Sequence, residues 1–105
     1  MPNNQNILQK IKAVVKEVEP DATLILYGSY ARGTQTERSD VDVLILINQE
    51  KVTWLDEKRI AYPLYDIEFD AGVIISPLIF SKQVWETKHK ITPFYKNIER
   101  EGKPL

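Results

Sequence analysis

A chain of 105 residues with 14 Lys plus Arg, 15 Asp plus Glu and a formal net charge of -1 has room for one modest core, because folding at this length removes roughly 65% of the unfolded chain's surface from water. The balanced charge excludes the general basic field of sequence-independent nucleic-acid binding, so DNA is not an expected partner, and the longest apolar run, Val43 to Ile47, is far short of a membrane span. With no Cys and His89 as the single histidine, disulfides, thiolate zinc sites and cysteine nucleophiles are excluded, which leaves carboxylates, hydroxyls and backbone to carry any chemistry.

In chain order, the opening MPNNQNILQK lacks the basic start and apolar stretch of a secretory signal, so the cytoplasm is the expected compartment. Ile7, Leu8, Ile11, Val14, Val15 and Val18 recur at helical spacing with Pro20 beyond them as a stop. Thr23 to Tyr27 is a short, partly β-branched run that ends at Gly28, the pattern of a buried strand entering a turn. A second strand is predicted over Val41 to Ile47. Between Val52 and Asp70 the pattern is helical: Thr53 is the N-cap, Asp56 and Glu57 occupy the first turn and Gly72 ends it. Pro63 should kink this helix or divide it near Tyr62. The uncharged run Val73 to Phe80 reads as a strand, with Pro77 marking an edge or a bulge. Two helices follow, one after Ser81 and one with Thr92 as N-cap, Pro93 at its first position and Gly102 at its end.

This order predicts an α/β (α+β) fold, a small mixed sheet flanked by helices packed mainly on one side. The whole chain, 1–105, is expected to form one domain with its core over about 5–80 and C-terminal helices over about 81–102. Residues 49 to 80 hold three basic and six acidic side chains, and residues 81 to 105 hold six basic and three acidic ones. The basic end reads as a solvated helix face first and an anion or partner surface second.

The chemistry concentrates in Gly28-Ser29-Tyr30-Ala31-Arg32-Gly33 and, after a polar loop, Ser39-Asp40-Val41-Asp42. A glycine and a hydroxyl between a strand and a short helix offer backbone N–H groups to phosphate oxygens, with Arg32 close by as a cation. Asp40 and Asp42 stand at i, i+2 and so project from one face of the second strand. Aspartate is depleted in strands, and two carboxylates this close repel unless a counter-charge lies between them. Magnesium, commonly held by one or two carboxylates plus substrate phosphates, supplies that charge. The spacing from Gly28 to Gly33 is that of a P-loop, but Thr34 and Gln35 stand where Lys and Ser or Thr are required, so that reading fails.

Gly28-Ser29-x-Ala31-Arg32-Gly33 followed by Ser39-Asp40-x-Asp42 and an apolar strand resembles the minimal nucleotidyltransferases of the DNA polymerase beta superfamily, which include the antitoxin partners of HEPN-type toxins. The resemblance spans most of residues 5 to 80. It implies a polymerase-beta-like fold, contacts from Gly28, Ser29 and Arg32 to the triphosphate, and magnesium on Asp40 and Asp42, the two catalytic residues. It also implies transfer of a nucleoside monophosphate from an NTP, with ATP the expected donor, to an acceptor hydroxyl. A helical HEPN-type protein is the macromolecular partner it suggests; the sequence itself leaves a homo-oligomer open and does not fix the oligomeric state. In the alternative reading the chain is a catalytically weak or inactive antitoxin-like binding module.

One departure separates these readings. Family members that catalyse transfer carry a third carboxylate on the next core strand, where this sequence has no acid and Ser76 is the nearest polar residue. Asp66, Glu68 and Asp70 lie upstream and replace it only if the helix runs towards the site; otherwise they form a solvated acidic face. His89, in a Lys-rich stretch, reads as an exposed residue rather than a general base. Trp54, Trp85, Phe94 and Tyr95 read as core or helix-packing aromatics, with a partner-binding patch as the alternative.

Overall fold

The computed structural model describes residues 4–105. Helix α1 (Asn4–Val18) buries Ile7, Ile11 and Val15, one residue per turn, with Leu8, Val14 and Val18 along the rim of the same stripe. Strand β1 (Thr23–Tyr27) alternates, with Leu24 and Leu26 turned to the α1 side. A short helix α2 (Ser29–Arg32) and a polar loop lead to β2 (Val41–Ile47), then to α3 (Trp54–Ala71), β3 (Ile75–Ser81), α4 (Lys82–Thr87), α5 (Pro93–Glu101) and a two-residue strand β4 (Lys103–Pro104).

The sheet runs β3-β2-β1-β4, with β1 antiparallel to both neighbours and β2 parallel to β3. The expected mixed sheet is present. Its helices, however, lie on both faces. Val41, Val43 and Ile45 join α1 and α3 through Ile60, Leu64 and Ile67 in one cluster, and Leu44 and Leu46 join Trp85 of α4 and Ile98 of α5 in another. Strand β2 is central and covered on both sides, which is why it is apolar at every position after Asp42.

The cap signals of α3 are realised. Thr53 accepts from the Asp56 N–H, the Asp56 carboxylate accepts from the Thr53 N–H, and Gly72 closes the helix with φ 69°. The expected break at Pro63 does not occur, and α3 is a single helix. Ile60, Leu64 and Ile67 are buried on both sides of the proline, and that packing outweighs one missing backbone bond, a loss of about 3 kcal/mol.

Strand β3 starts at Ile75 rather than Val73 and is an edge strand, as Pro77 implied. The Val41 N–H donates to the Ile74 carbonyl at 2.8 Å. That bond turns the backbone polar groups of Ile74 and Ser76 towards β2 and leaves the Pro77 nitrogen on the free side, where no ladder bond is lost. Thr92 and Pro93 open α5 and Gly102 closes it, as read from the sequence. Strand β4 carries no strand pattern; it exists because α5 returns the chain to β1, where the Leu105 N–H donates to the Leu24 carbonyl at 3.0 Å.

Candidate active site

At the end of β1 the chain turns through Gly28, which has φ 74° and ψ -155°, a conformation that L side chains avoid. A Cβ at Gly28 would also collide with the Asp42 carboxylate. Both facts require glycine: the turn sets the backbone conformation, and the Asp42 side chain fills the space a Cβ would take. The Gly28 carbonyl accepts from the N–H groups of Ala31 and Arg32, each at 3.1 Å, which closes the single turn of α2. Gly33 follows at φ 73°, and the Thr34 N–H donates to the Ser29 carbonyl at 3.0 Å.

The loop is held by its own hydroxyls. The Thr36 N–H donates to Ser39 Oγ at 2.8 Å, the Arg38 N–H to Thr36 Oγ1 at 3.2 Å and the Ser39 N–H to the Thr36 carbonyl at 3.1 Å. This turn delivers Asp40 to the mouth of β2. Asp42, one pleat on, is cross-strand partner to Tyr27 on β1 and to Ser76 on β3. It faces the side of the sheet that carries α4 and α5, with Leu44 and Leu46.

The electrostatics agree with this crowding. Burial pushes the Asp42 carboxyl above the usual aspartate range, Asp40 pushes it further, and Arg32 acts in the opposite direction. Tyr27 is pushed up to about 12 by burial and then by the Asp42 charge, so it is a neutral phenol at physiological pH. Its ring stands edge-on to Phe94 at 5.3 Å. Arg32 is half-exposed and pairs with Glu101 of α5 at 3.3 Å.

Gly28, Asp40, Asp42 and Arg32 are therefore brought together, with Ser29 beginning the helix beside them. Asp66, Glu68 and Asp70 are not. They lie on α3, across the sheet from Asp42; Asp66 and Asp70 border a concavity of about 710 Å³ between α3 and α1. Among the described residues no group of three His, Cys, Asp or Glu side chains is placed to hold a metal. Two carboxylates that repel one another beside the Gly28 turn offer the oxygen donors a divalent cation takes.

His89 is not the open surface residue its neighbours suggested. It is half-buried and stacks on Phe80 at 4.8 Å and Trp85 at 5.7 Å. Trp85 is core, and Phe94 and Tyr95 pack against it, whereas Trp54 is 65% exposed and belongs to no core. Three residues of the site were not singled out from the sequence. Tyr27 was legible as the last strand residue before Gly28. Glu101 was not, being 69 positions from Arg32; Ser39 had its place in the motif but no role in the loop.

The model of the nucleotidyltransferase domain family matches residues 8–104. The chain belongs to that family. Relatives of the nucleotidyltransferase domain include two from Methanocaldococcus jannaschii named as candidate protein adenylyltransferases. MJ0141 is 36% identical over 87 residues, covering 71% of this chain and 84% of its own, and MJ0604 is 33% identical over 84 residues, covering 78% and 75%. A solved minimal nucleotidyltransferase superposes with a TM-score of 0.62 at 26% identity, over 96% of this chain and 94% of that one. A toxin-antitoxin structure with AMP-PNP superposes at 0.66 and 20% identity, over 91% and 69%, and supports the fold. Among the described residues no helix is long and apolar enough to cross a membrane.

Proposed function

We propose that this nucleotidyltransferase domain transfers adenylate from ATP to a hydroxyl group on a partner protein, with magnesium held by Asp40 and Asp42. The observation that carries the reading is the contact between Gly28 and the Asp42 carboxylate, which puts a turn suited to phosphate against the acid pair. The names of the M. jannaschii relatives supply the adenylate and the protein acceptor.

In this reading the backbone N–H groups at the start of α2 and the Ser29 hydroxyl receive the β- and γ-phosphates. Arg32 offsets the charge that grows on the leaving pyrophosphate. Asp40 and Asp42 would hold the ion, and the chemistry it would supply is Lewis-acid polarisation of the phosphate. The acceptor oxygen attacks the α-phosphorus in line, its proton passes to solvent water, the bond to the β-phosphate oxygen breaks, and pyrophosphate leaves. Neutral Tyr27 and Ser76 flank Asp42 and are not bases at physiological pH.

The last point favours a second reading. With Ser76 beside Asp42 and no third acid on β3, the acceptor proton has no carboxylate to receive it, so the site binds nucleotide and turns over slowly or not at all. The test is transfer of label from ATP labelled at the α-phosphate to a polypeptide acceptor. Asp42→Ala is expected to abolish transfer, by more than a hundredfold, while its circular dichroism stays that of wild type. Undiminished transfer by a folded Asp42→Ala protein overturns the site assignment. Magnesium-dependent ATP binding without transfer to any acceptor supports the binding module.

A further inference from the structure

Among the described residues Arg32 forms an ion pair with Glu101 of α5, at 3.3 Å, and with neither Asp40 nor Asp42. For a guanidinium beside two carboxylates this is unexpected. The Arg32 charge is felt at the Asp42 carboxylate, and the planar fork of arginine is well suited to bridging carboxylate oxygens. The backbone of α2 is anchored by Ala31, which is buried in the core, but the Arg32 side chain is 49% exposed and free to turn. Its direction is therefore set by the partner that holds it.

That partner is rigidly placed. Glu101 is the last residue of α5, and the end of α5 lies hard against β1: a Cβ on Gly102 would stand 2.8 Å from Ile25 Cγ2 and 2.6 Å from the Ile98 carbonyl oxygen. Beyond Gly102, Lys103 pairs with Leu26 and Pro104 with Ile25. This register brings Glu101 to the end of β1, where the Gly28 turn begins. At the start of the same helix Phe94 stands edge-on to Tyr27, the cross-strand partner of Asp42. Glu101 thus reaches α2 from a helix fastened to β1 at both ends.

The consequence is one of charge. A site of oxygen donors holds a divalent cation according to the number of charges its ligands bring. With Arg32 on Glu101, Asp40 and Asp42 both keep their charge for the cation; with Arg32 turned onto them, one of the two is cancelled before the cation arrives. We propose that Glu101 is a positioning residue, which holds Arg32 off Asp40 and Asp42 and so keeps the acid pair open to a divalent cation. The proposal rests on the assignment of the metal to that pair. An exposed ion pair is weak, so Arg32 leaves Glu101 readily for phosphate oxygens when a triphosphate binds.

Manganese(II), which takes the same oxygen donors as magnesium and broadens nearby nuclear magnetic resonances, tests it when added without nucleotide to isotopically labelled protein. The same spectra report the fold of each variant. In wild type the amide signals of Asp40 and Asp42 should broaden first. Glu101→Gln should need about two- to fivefold more manganese for equal broadening, the range that an exposed pair supports. Arg32→Ala should bind at least as tightly as wild type, and adding Glu101→Gln to Arg32→Ala should change nothing further. A loss of the same factor with and without Arg32 overturns the proposal, because it assigns the effect to the Glu101 charge or to the fold alone. So does unchanged manganese binding by Glu101→Gln. A wild type whose Asp40 and Asp42 signals do not broaden overturns the metal assignment itself, and the proposal with it.

Discussion

At the scale of single residues, the site sets function against stability. Asp42 is half-buried beside Asp40, and its carboxyl titrates above the aspartate range. A carboxyl raised in the folded state favours folding below its unfolded value and disfavours it once the pH has risen through the folded one. Asp42→Asn, which keeps the shape and removes the charge, should therefore raise the metal-free melting temperature at neutral pH by about 1–3 °C. The same substitution should remove magnesium-dependent nucleotide binding. In wild type that binding should weaken on acidification sooner than an ordinary aspartate would require, because protons and the ion compete for one group. A metal-free melting curve of Asp42→Asn that lies below wild type contradicts the account. Gly28→Ala should cost about 1–3 kcal/mol from the backbone conformation alone, with the displaced Asp42 carboxylate adding to it, and should abolish nucleotide binding. Chemical denaturation and calorimetry read the two effects separately.

At the scale of elements, the boundaries that were legible are those set by local chemistry. Thr53 and Gly72 bracket α3, Ser81 caps α4, and Thr92, Pro93 and Gly102 bracket α5, because a cap is decided by side chains within a turn of the end it closes. Thr53→Ala should cost about 1 kcal/mol in urea denaturation. The Asp56 carboxyl is held down to about 2, by the Thr53 N–H, the Thr53 hydroxyl and Arg59 in that order. Its contribution is therefore complete above the unfolded value near 3.8 and lost as the pH falls towards 2, so the difference between Thr53→Ala and wild type should narrow over that interval. The bond from the Asp56 N–H to the Thr53 hydroxyl does not titrate and leaves part of the gap in place; a gap of unchanged size between pH 4 and pH 2 contradicts this role for the pair. What was not legible depends on distant chain. Pro63 was read as a break because its lost bond is local, while the burial of Ile60, Leu64 and Ile67 against α1 and β2 is not. β4 has no pattern to read, since its partner β1 lies some eighty positions away.

At the scale of the whole molecule, a single sheet separates three surfaces. One face carries α1 and α3 and supplies most of the core. The other carries α4 and α5 together with Asp42, Tyr27 and Arg32, so α5, through Phe94 and Glu101, forms a wall of the candidate site. The exposed side of α3, with Tyr62, Tyr65 and Phe69, faces neither. From the sequence, the motif from Gly28 to Asp42 was legible because its residues are close in the chain as well as in space. The placement of Ser76 beside Asp42 required the parallel register of β2 and β3, and the exclusion of Asp66, Glu68 and Asp70 required knowing which face α3 covers. The central claim is that Asp40 and Asp42 form one magnesium-nucleotide site with the Gly28 turn. The most direct measurement is thermal unfolding with magnesium and ATP, comparing wild type with the Asp40→Asn, Asp42→Asn double variant. A ligand bound only by the native state at a hundred times its dissociation constant adds about 2.7 kcal/mol, or several degrees in a domain of this size. The account predicts a shift of that order in wild type, dependent on magnesium and absent from the double variant. An equal shift in both proteins, or none in wild type with any nucleoside triphosphate, contradicts it.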